Sequence, residues 1–160
     1  MLANSKAPHH SASDTRLGVH IFNLRFRAEA LEVRDALQSA VDRFARQLSI
    51  DEAGTLELVL AEIMNNIVEH SYRGRDRGTI DLSIVRDQRG LSCSVSDDGI
   101  ALPEDHLLRD IAALPRPRPL DLPEGGFGWF LIRDLAEDLG YRREGEQNLL
   151  AFRLPIGAVN

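Results

Sequence analysis

Lysine is almost missing from this chain: Lys6 is the only one among 19 lysines and arginines, and it falls in a polar amino-terminal stretch. Mechanisms that station a lysine inside the folded domain are therefore excluded. The P-loop needs one beside its phosphates, and the eukaryotic-type kinase fold needs one on a strand. Cysteine is as scarce. Cys93 stands alone, which rules out an internal disulfide and a cysteine-built zinc cage. No apolar run nears the ~18 residues that a membrane helix requires. The stretch MLANSKAPHHSASDTR lacks the apolar centre of a signal peptide, so a cytoplasmic protein with no membrane contact is expected. Positive charge is in deficit too. A formal net charge of −6 speaks against a sequence-independent nucleic-acid binder.

What is present fits one ordinary domain: 160 residues, 43% of them hydrophobic, enough to bury roughly 68–70% of the unfolded surface. Residues 1–17, small and polar, read as a disordered tail, and residues 18–156 as the folded unit. VHIFNLRF (19–26) predicts a strand with Val19, Ile21, Leu24 and Phe26 turned to the core. AEALEVRDALQSAVDRFARQL (28–48) spaces Leu31, Val33, Leu37, Val41, Phe44 and Leu48 as an amphipathic helix does. Asp51 and Gly54 are expected to break it, and TLELVLAEIMNNIVEHSYR (55–73) to form a second helix. After a turn over 73–78, TIDLSIVRD (79–87) and LSCSVSD (91–97) read as a hairpin whose inward side includes Cys93 as core packing.

Beyond Asp97 the pattern fails. Residues 97–126 hold four prolines in their second half, the mark of a lid or a disordered insert, with at most a short helix around 104–113. A helix is expected from about Gly128 to Leu139, entered through Gly125, Gly126 and Gly128, and the chain closes on a strand with Leu150, Phe152 and Leu154 alternating.

Three places could carry chemistry. On the second helix, Glu62, Asn66, Glu69 and Arg73 form a stripe apart from the apolar face of Leu56, Leu60, Ile63 and Ile67. A carboxylate and an amide one turn apart suit a hydrated Mg²⁺ ion; taken alone, a solvated helix face explains the same stripe. His70 is expected toward the core, hydrogen-bonded and structural. At the end of the second hairpin strand, Asp97 is followed by Gly99. A carboxylate fixed there could accept a proton from an exocyclic amine, although Asp-Gly is also ordinary turn chemistry. The third place is the glycine-rich helix entrance. Exposed amides and the helix dipole favour an anion, and glycine lets one come close. Trp129 and Phe130 read as helix packing.

Glu-x-x-x-Asn on a helix, Asp-x-Gly at a strand end, a proline-bearing insert and Gly-Gly-x-Gly opening a helix occur here in order. This constellation resembles the GHKL (Bergerat-fold) ATPase and kinase superfamily, to which the histidine-kinase catalytic domain and DNA gyrase belong. The phrases LAEIMNNIVEHSY and GGFGWFLIRDLAEDL are most similar to the RsbW-like anti-sigma-factor serine/threonine kinases. The resemblance covers residues ~18 to 155 and implies an α+β, two-layer Bergerat fold: a mixed, mostly antiparallel sheet covered on one face by three helices. By position it implies that Glu62 activates or orients the attacking group and that Asn66 is a Mg²⁺ ligand. Asp97 would read adenine, with Gly99 and position 101 letting the base approach. Gly125, Gly126, Phe127 and Gly128 would hold the phosphates of ATP. A lid over about 103–124 would bring Arg116 or Arg118 to the triphosphate. The implied partners are a small STAS-type anti-anti-sigma antagonist, which is phosphorylated, and a sigma factor or similar regulator, which is sequestered; the family also implies a homodimer and no direct nucleic-acid contact. The stretch before residue 18 is too short for a phosphotransfer helix pair, so a self-contained histidine kinase is not expected. The chain departs from the pattern at Ala101, where a glycine is usual, and at Trp129, where a leucine is. Ala101 keeps open the alternative of a nucleotide-binding module that regulates partners by binding alone.

Overall fold

A computed structural model describes residues 20–73, 76–101 and 127–157, with only the backbone of 127–130. In chain order these form β1 (His20–Arg27), α1 (Ala30–Phe44), α2 (Ile50–His70), β2 (Thr79–Asp87), β3 (Gly90–Asp97), α3 (Phe127–Leu135), β4 (Glu137–Glu144) and β5 (Gln147–Leu154). The strands make one sheet in the order β1-β2-β3-β5-β4, and every pairing among the described residues is antiparallel. Helices cover one face. The result is the two-layer α+β architecture that the resemblance implies.

Period-two alternation builds the buried face of the sheet. One inward rung runs Phe22–Ile84–Cys93–Phe152 and the next Leu24–Leu82–Val95–Leu150–Tyr141. Val33, Ala36, Ala40 and Phe44 of α1, Leu56, Val59, Leu60, Ile63, Met64 and Ile67 of α2, and Ile132 of α3 are buried with them. Cys93 is core as expected, its thiol pushed up to about 12 by burial alone. The opposite face, with Asn23, Ser83 and Ser94, is polar and more open.

The structure corrects several boundaries. Asp51 and Gly54 do not separate two helices, because α2 starts before them. Ser49 caps it, accepting from Glu52 N (3.1 Å) while Glu52 Oε2 accepts from Ser49 N (2.8 Å), a reciprocal capping box. Gly54 is carried as an ordinary helical residue within it, and a β-carbon there would meet nothing. The first helix is shorter than its apolar pattern, ending at Phe44, and Leu31 on it is 74% exposed. In β1 the inward side chains are Phe22, Leu24 and Phe26, while Ile21 points outward at 43% exposure. α3 stops at Leu135, and the chain at once enters β4, an edge strand that the apolar pattern did not disclose. At the β2–β3 turn Gly90 has φ +123°, and a β-carbon there would strike the carbonyl of Leu154, so only glycine fits. The short helix expected around 104–113 lies outside the described residues.

Candidate functional site

The third inward rung of the sheet breaks the apolar rule. Phe26 and Ile80 open it, and then come Asp97, Asn148 and Arg143. Alternation that serves packing further along the strands thus delivers polar side chains to the buried face at this end. Asp97 is 4% exposed and Asn148 2%. Ile63, Asn66 and Ile67 of α2 lie over the same end. With Val95, Asp97, Tyr141, Asn148 and Leu150 they line one narrow cleft.

Within the cleft Asp97 is the buried acid. Its Oδ1 accepts from Gly99 N (2.9 Å) and Asn148 Nδ2 (3.0 Å). Burial raises its pKa; the Asn148 and Gly99 donors and the Arg143 charge oppose this, while neighbouring Asp98 adds to it. Asp98 faces other partners. Its Oδ1 accepts from Tyr72 Oη (2.7 Å) and Thr79 N (3.1 Å), tying the end of α2 to the start of β2. Burial holds the Tyr72 phenol protonated, its pKa well above the ordinary value. One acid of the pair therefore braces the fold and the other lines the cleft.

Gly99 is demanded by the protein itself. A β-carbon there would stand 2.5 Å from both Ser71 Cβ and Ser71 O and 2.9 Å from Asp97 Oδ1, distances that real side chains do not reach. The closeness is used: Ile100 N donates to Ser71 O (2.8 Å), pinning the Asp97 turn to the C-terminal end of α2. The two halves of the cleft are held in register by that contact.

Asn66 lines the cleft, and its buried Nδ2 has no hydrogen-bond partner among the described residues. An orphaned buried polar group costs about 1–3 kcal/mol. The amide's two ends suit a cation and an anion together: the carbonyl oxygen is a hard donor of the type Mg²⁺ takes, and Nδ2 can donate to a phosphate oxygen. Mg²⁺ is commonly held by one or two protein groups plus substrate phosphates, so the donor set fits a metal that arrives with a nucleotide.

The remaining expected residues divide. Glu62 sits one turn before Asn66, half-buried, and is not a wall of the cleft. Ala101 is exposed and also outside the lining. Phe127 and Gly128 begin α3, which packs on α2. Gly125, Gly126, Arg116, Arg118 and the 103–124 segment lie outside the described residues. His70 is not on the core side: it is exposed, with Arg73 Nη2 donating to its Nδ1 at 2.8 Å and Glu69 3.5 Å from Nε2. Asn148, Arg143 and Tyr141 were missed from sequence. Counting back by two from Leu150 would have turned Asn148 inward.

The comparisons agree with the fold. The family description "Histidine kinase-like ATPase domain" matches residues 25–154. The chain is similar to the "Blue-light-activated histidine kinase 2" of Erythrobacter litoralis (26% identical, covering 88% of this chain and 38% of that protein). It is similar to the "Serine-protein kinase RsbW" of Bacillus thuringiensis (29% identical, 56% of each chain), and to the "Serine/threonine-protein kinase BtrW" of Bordetella bronchiseptica (31% identical, 69% of this chain and 73% of that protein). The match spans about half the length of the RsbW relative and less of the histidine kinase. The chain belongs to the histidine kinase-like ATPase (GHKL) family, on its RsbW-like branch.

Proposed function

We propose that this chain is an ATP-dependent serine/threonine protein kinase of the anti-sigma type. On this reading it phosphorylates a small STAS-type antagonist and, when the antagonist is phosphorylated, sequesters a sigma factor or similar regulator. The observation that carries the reading is the meeting of Asn66 and Asp97 in one cleft, from elements 31 residues apart in sequence (97 − 66). Asp97 accepts the exocyclic amine of adenine through the carboxylate oxygen that Gly99 and Asn148 leave uncommitted. Asn66 holds Mg²⁺ through its carbonyl oxygen, and its Nδ2 donates to phosphate. When bound, Mg²⁺ offsets charge on the phosphates. Glu62, one turn away on the same rigid helix, takes the proton of the acceptor hydroxyl. Phosphoryl transfer needs positioning and charge stabilisation more than covalent help, and a helix braced by its capping box supplies the first. A phosphate placed on the antagonist breaks an apolar or acidic interface by repulsion and desolvation.

A second reading is favoured by one residue. Ala101 adds a methyl where the family pattern has a glycine, which suits a module that binds nucleotide or partner without transferring phosphate. Incubation with γ-labelled ATP, Mg²⁺ and candidate antagonists separates the two. The kinase reading expects phosphoserine or phosphothreonine on the antagonist, with Glu62→Gln lowering the rate by about 10²–10⁴ and leaving ATP affinity unchanged. Tight ATP binding with no transfer to any antagonist favours the module.

A further inference from the structure

Asn148 was assigned no role by the motif pattern, yet it is the most fully engaged side chain in the cleft. A primary amide can donate two hydrogen bonds and accept two. Asn148 makes all four: Nδ2 donates to Asp97 Oδ1 (3.0 Å) and to Ile100 O (2.8 Å), and Oδ1 accepts from Tyr141 Oη (2.6 Å) and Arg143 Nη1 (2.9 Å). Turning the amide over would set its NH₂ against a phenol and a guanidinium, and its oxygen against a carboxylate and a carbonyl. Its orientation is therefore fixed by its neighbours. Arg143 Nη1 also donates to Gly99 O (3.0 Å), so the network closes on the same turn that carries Asp97.

This saturation decides what Asn148 can do. With every polar atom taken and 2% of its surface exposed, it has nothing left to offer a ligand and acts only through Asp97. Both hydrogen bonds to Asp97 fall on Oδ1; among the described residues none falls on Oδ2. A carboxylate pinned at one oxygen cannot rotate, and the other oxygen is the acceptor left for a donor entering the cleft. An ionised carboxylate only accepts, whereas a protonated one can also donate. Asp98 and burial favour the protonated form, while Asn148, Gly99 and Arg143 favour the ionised one; Tyr72 and Tyr141 are the phenols of the surroundings.

The geometry points to Asn148 as a positioning residue for nucleobase specificity. By clamping Asp97 Oδ1 it presents an acceptor-only oxygen, which selects a base bearing an exocyclic amine over one bearing a carbonyl at the same place. The inference rests on the reading that Asp97 meets the base of a nucleotide.

The test compares affinities for ATP and inosine triphosphate, which differ at that one group, by calorimetry with Mg²⁺ on the full chain. Four proteins are needed: wild type, Asp97→Ala, Asn148→Ala and Asn148→Val. The last fills most of the space that alanine would leave empty in the strand and donates nothing to Asp97, so it serves if the alanine variant does not fold. Wild type is expected to prefer ATP. Both Asn148 variants are expected to lose about tenfold or more of that preference, through weaker ATP binding with inosine triphosphate affinity unchanged. A structural role alone would weaken both nucleotides equally. Equal loss, or an unchanged preference, in folded Asn148 variants overturns the inference provided that Asp97→Ala abolishes the preference. If Asp97→Ala leaves the preference intact, the nucleobase reading of the cleft fails and the inference with it.

Discussion

Replacing Asp97 with asparagine should move stability and ligand affinity in opposite directions. The substitution is isosteric. Its Oδ1 can still accept from Gly99 N and Asn148 Nδ2, while Oδ2 becomes an NH₂ group. The carboxyl is buried, and burial is the largest influence on its raised pKa. A raised carboxyl pKa means that the folded state binds the proton more tightly than the unfolded chain, so the ionised form costs folding free energy. That cost is absent below the ordinary value of 3.8, grows as pH climbs through the raised value, and is present in full above it. Asparagine carries no such cost. Asp97→Asn should therefore melt higher than wild type at neutral pH, by about 2–4 °C for each kcal/mol relieved, with the difference vanishing toward acid. ATP should bind more weakly by about 1.5–3 kcal/mol, the worth of a hydrogen bond to a charged group, or roughly 10–150-fold in Kd. Differential scanning fluorimetry across pH and calorimetric titration with Mg·ATP read the two effects. A variant that melts lower at neutral pH and binds ATP as wild type does would refute the reasoning on both counts.

Two further substitutions test the frame around the cleft. Gly99→Ala forces a β-carbon to within 2.5 Å of Ser71 Cβ and Ser71 O, and should cost about 1–3 kcal/mol in urea denaturation; Ser71→Ala should give no rescue, since both obstructing atoms remain. Ser49→Ala removes the hydroxyl that accepts from Glu52 N, and should cost about 1 kcal/mol, a fall in melting temperature of about 2–4 °C.

Legibility followed the strength of the periodic signal. The apolar face of α2 was readable because Leu56, Leu60, Ile63 and Ile67 recur at helical spacing and are all buried. Asp97 stood out as the end of an alternating strand, and the structure carries that alternation into the cleft. β4 was hidden because it is an edge strand: GYRRE buries little, with Tyr141 and Arg143 only half-covered, so no apolar period marks it. The start of α2 was misread because Asp51 and Gly54 look like breakers taken singly, although Ser49 and Glu52 already spell the capping box. His70 was misplaced because, as the last residue of α2, it faces solvent, while the buried residues that follow it, Ser71 and Tyr72, lie beyond the helix. Asn148 escaped because a lone asparagine beside a glutamine reads as turn, its carboxylate partner comes from β3, 51 residues away in sequence, and its nearer partners lie on β4, the strand that the pattern hid.

The central claim is that one cleft, between α2 and the Asp97 end of the sheet, receives the nucleotide. Methyl-resolved NMR during titration with Mg·ATP tests it directly. The account predicts large shifts at Ile63, Ile67, Val95 and Leu150, which line the cleft, with Val85 and Ile21 on the opposite sheet face unmoved. Perturbation centred on Val85 and Ile21, with the cleft methyls still, would contradict it.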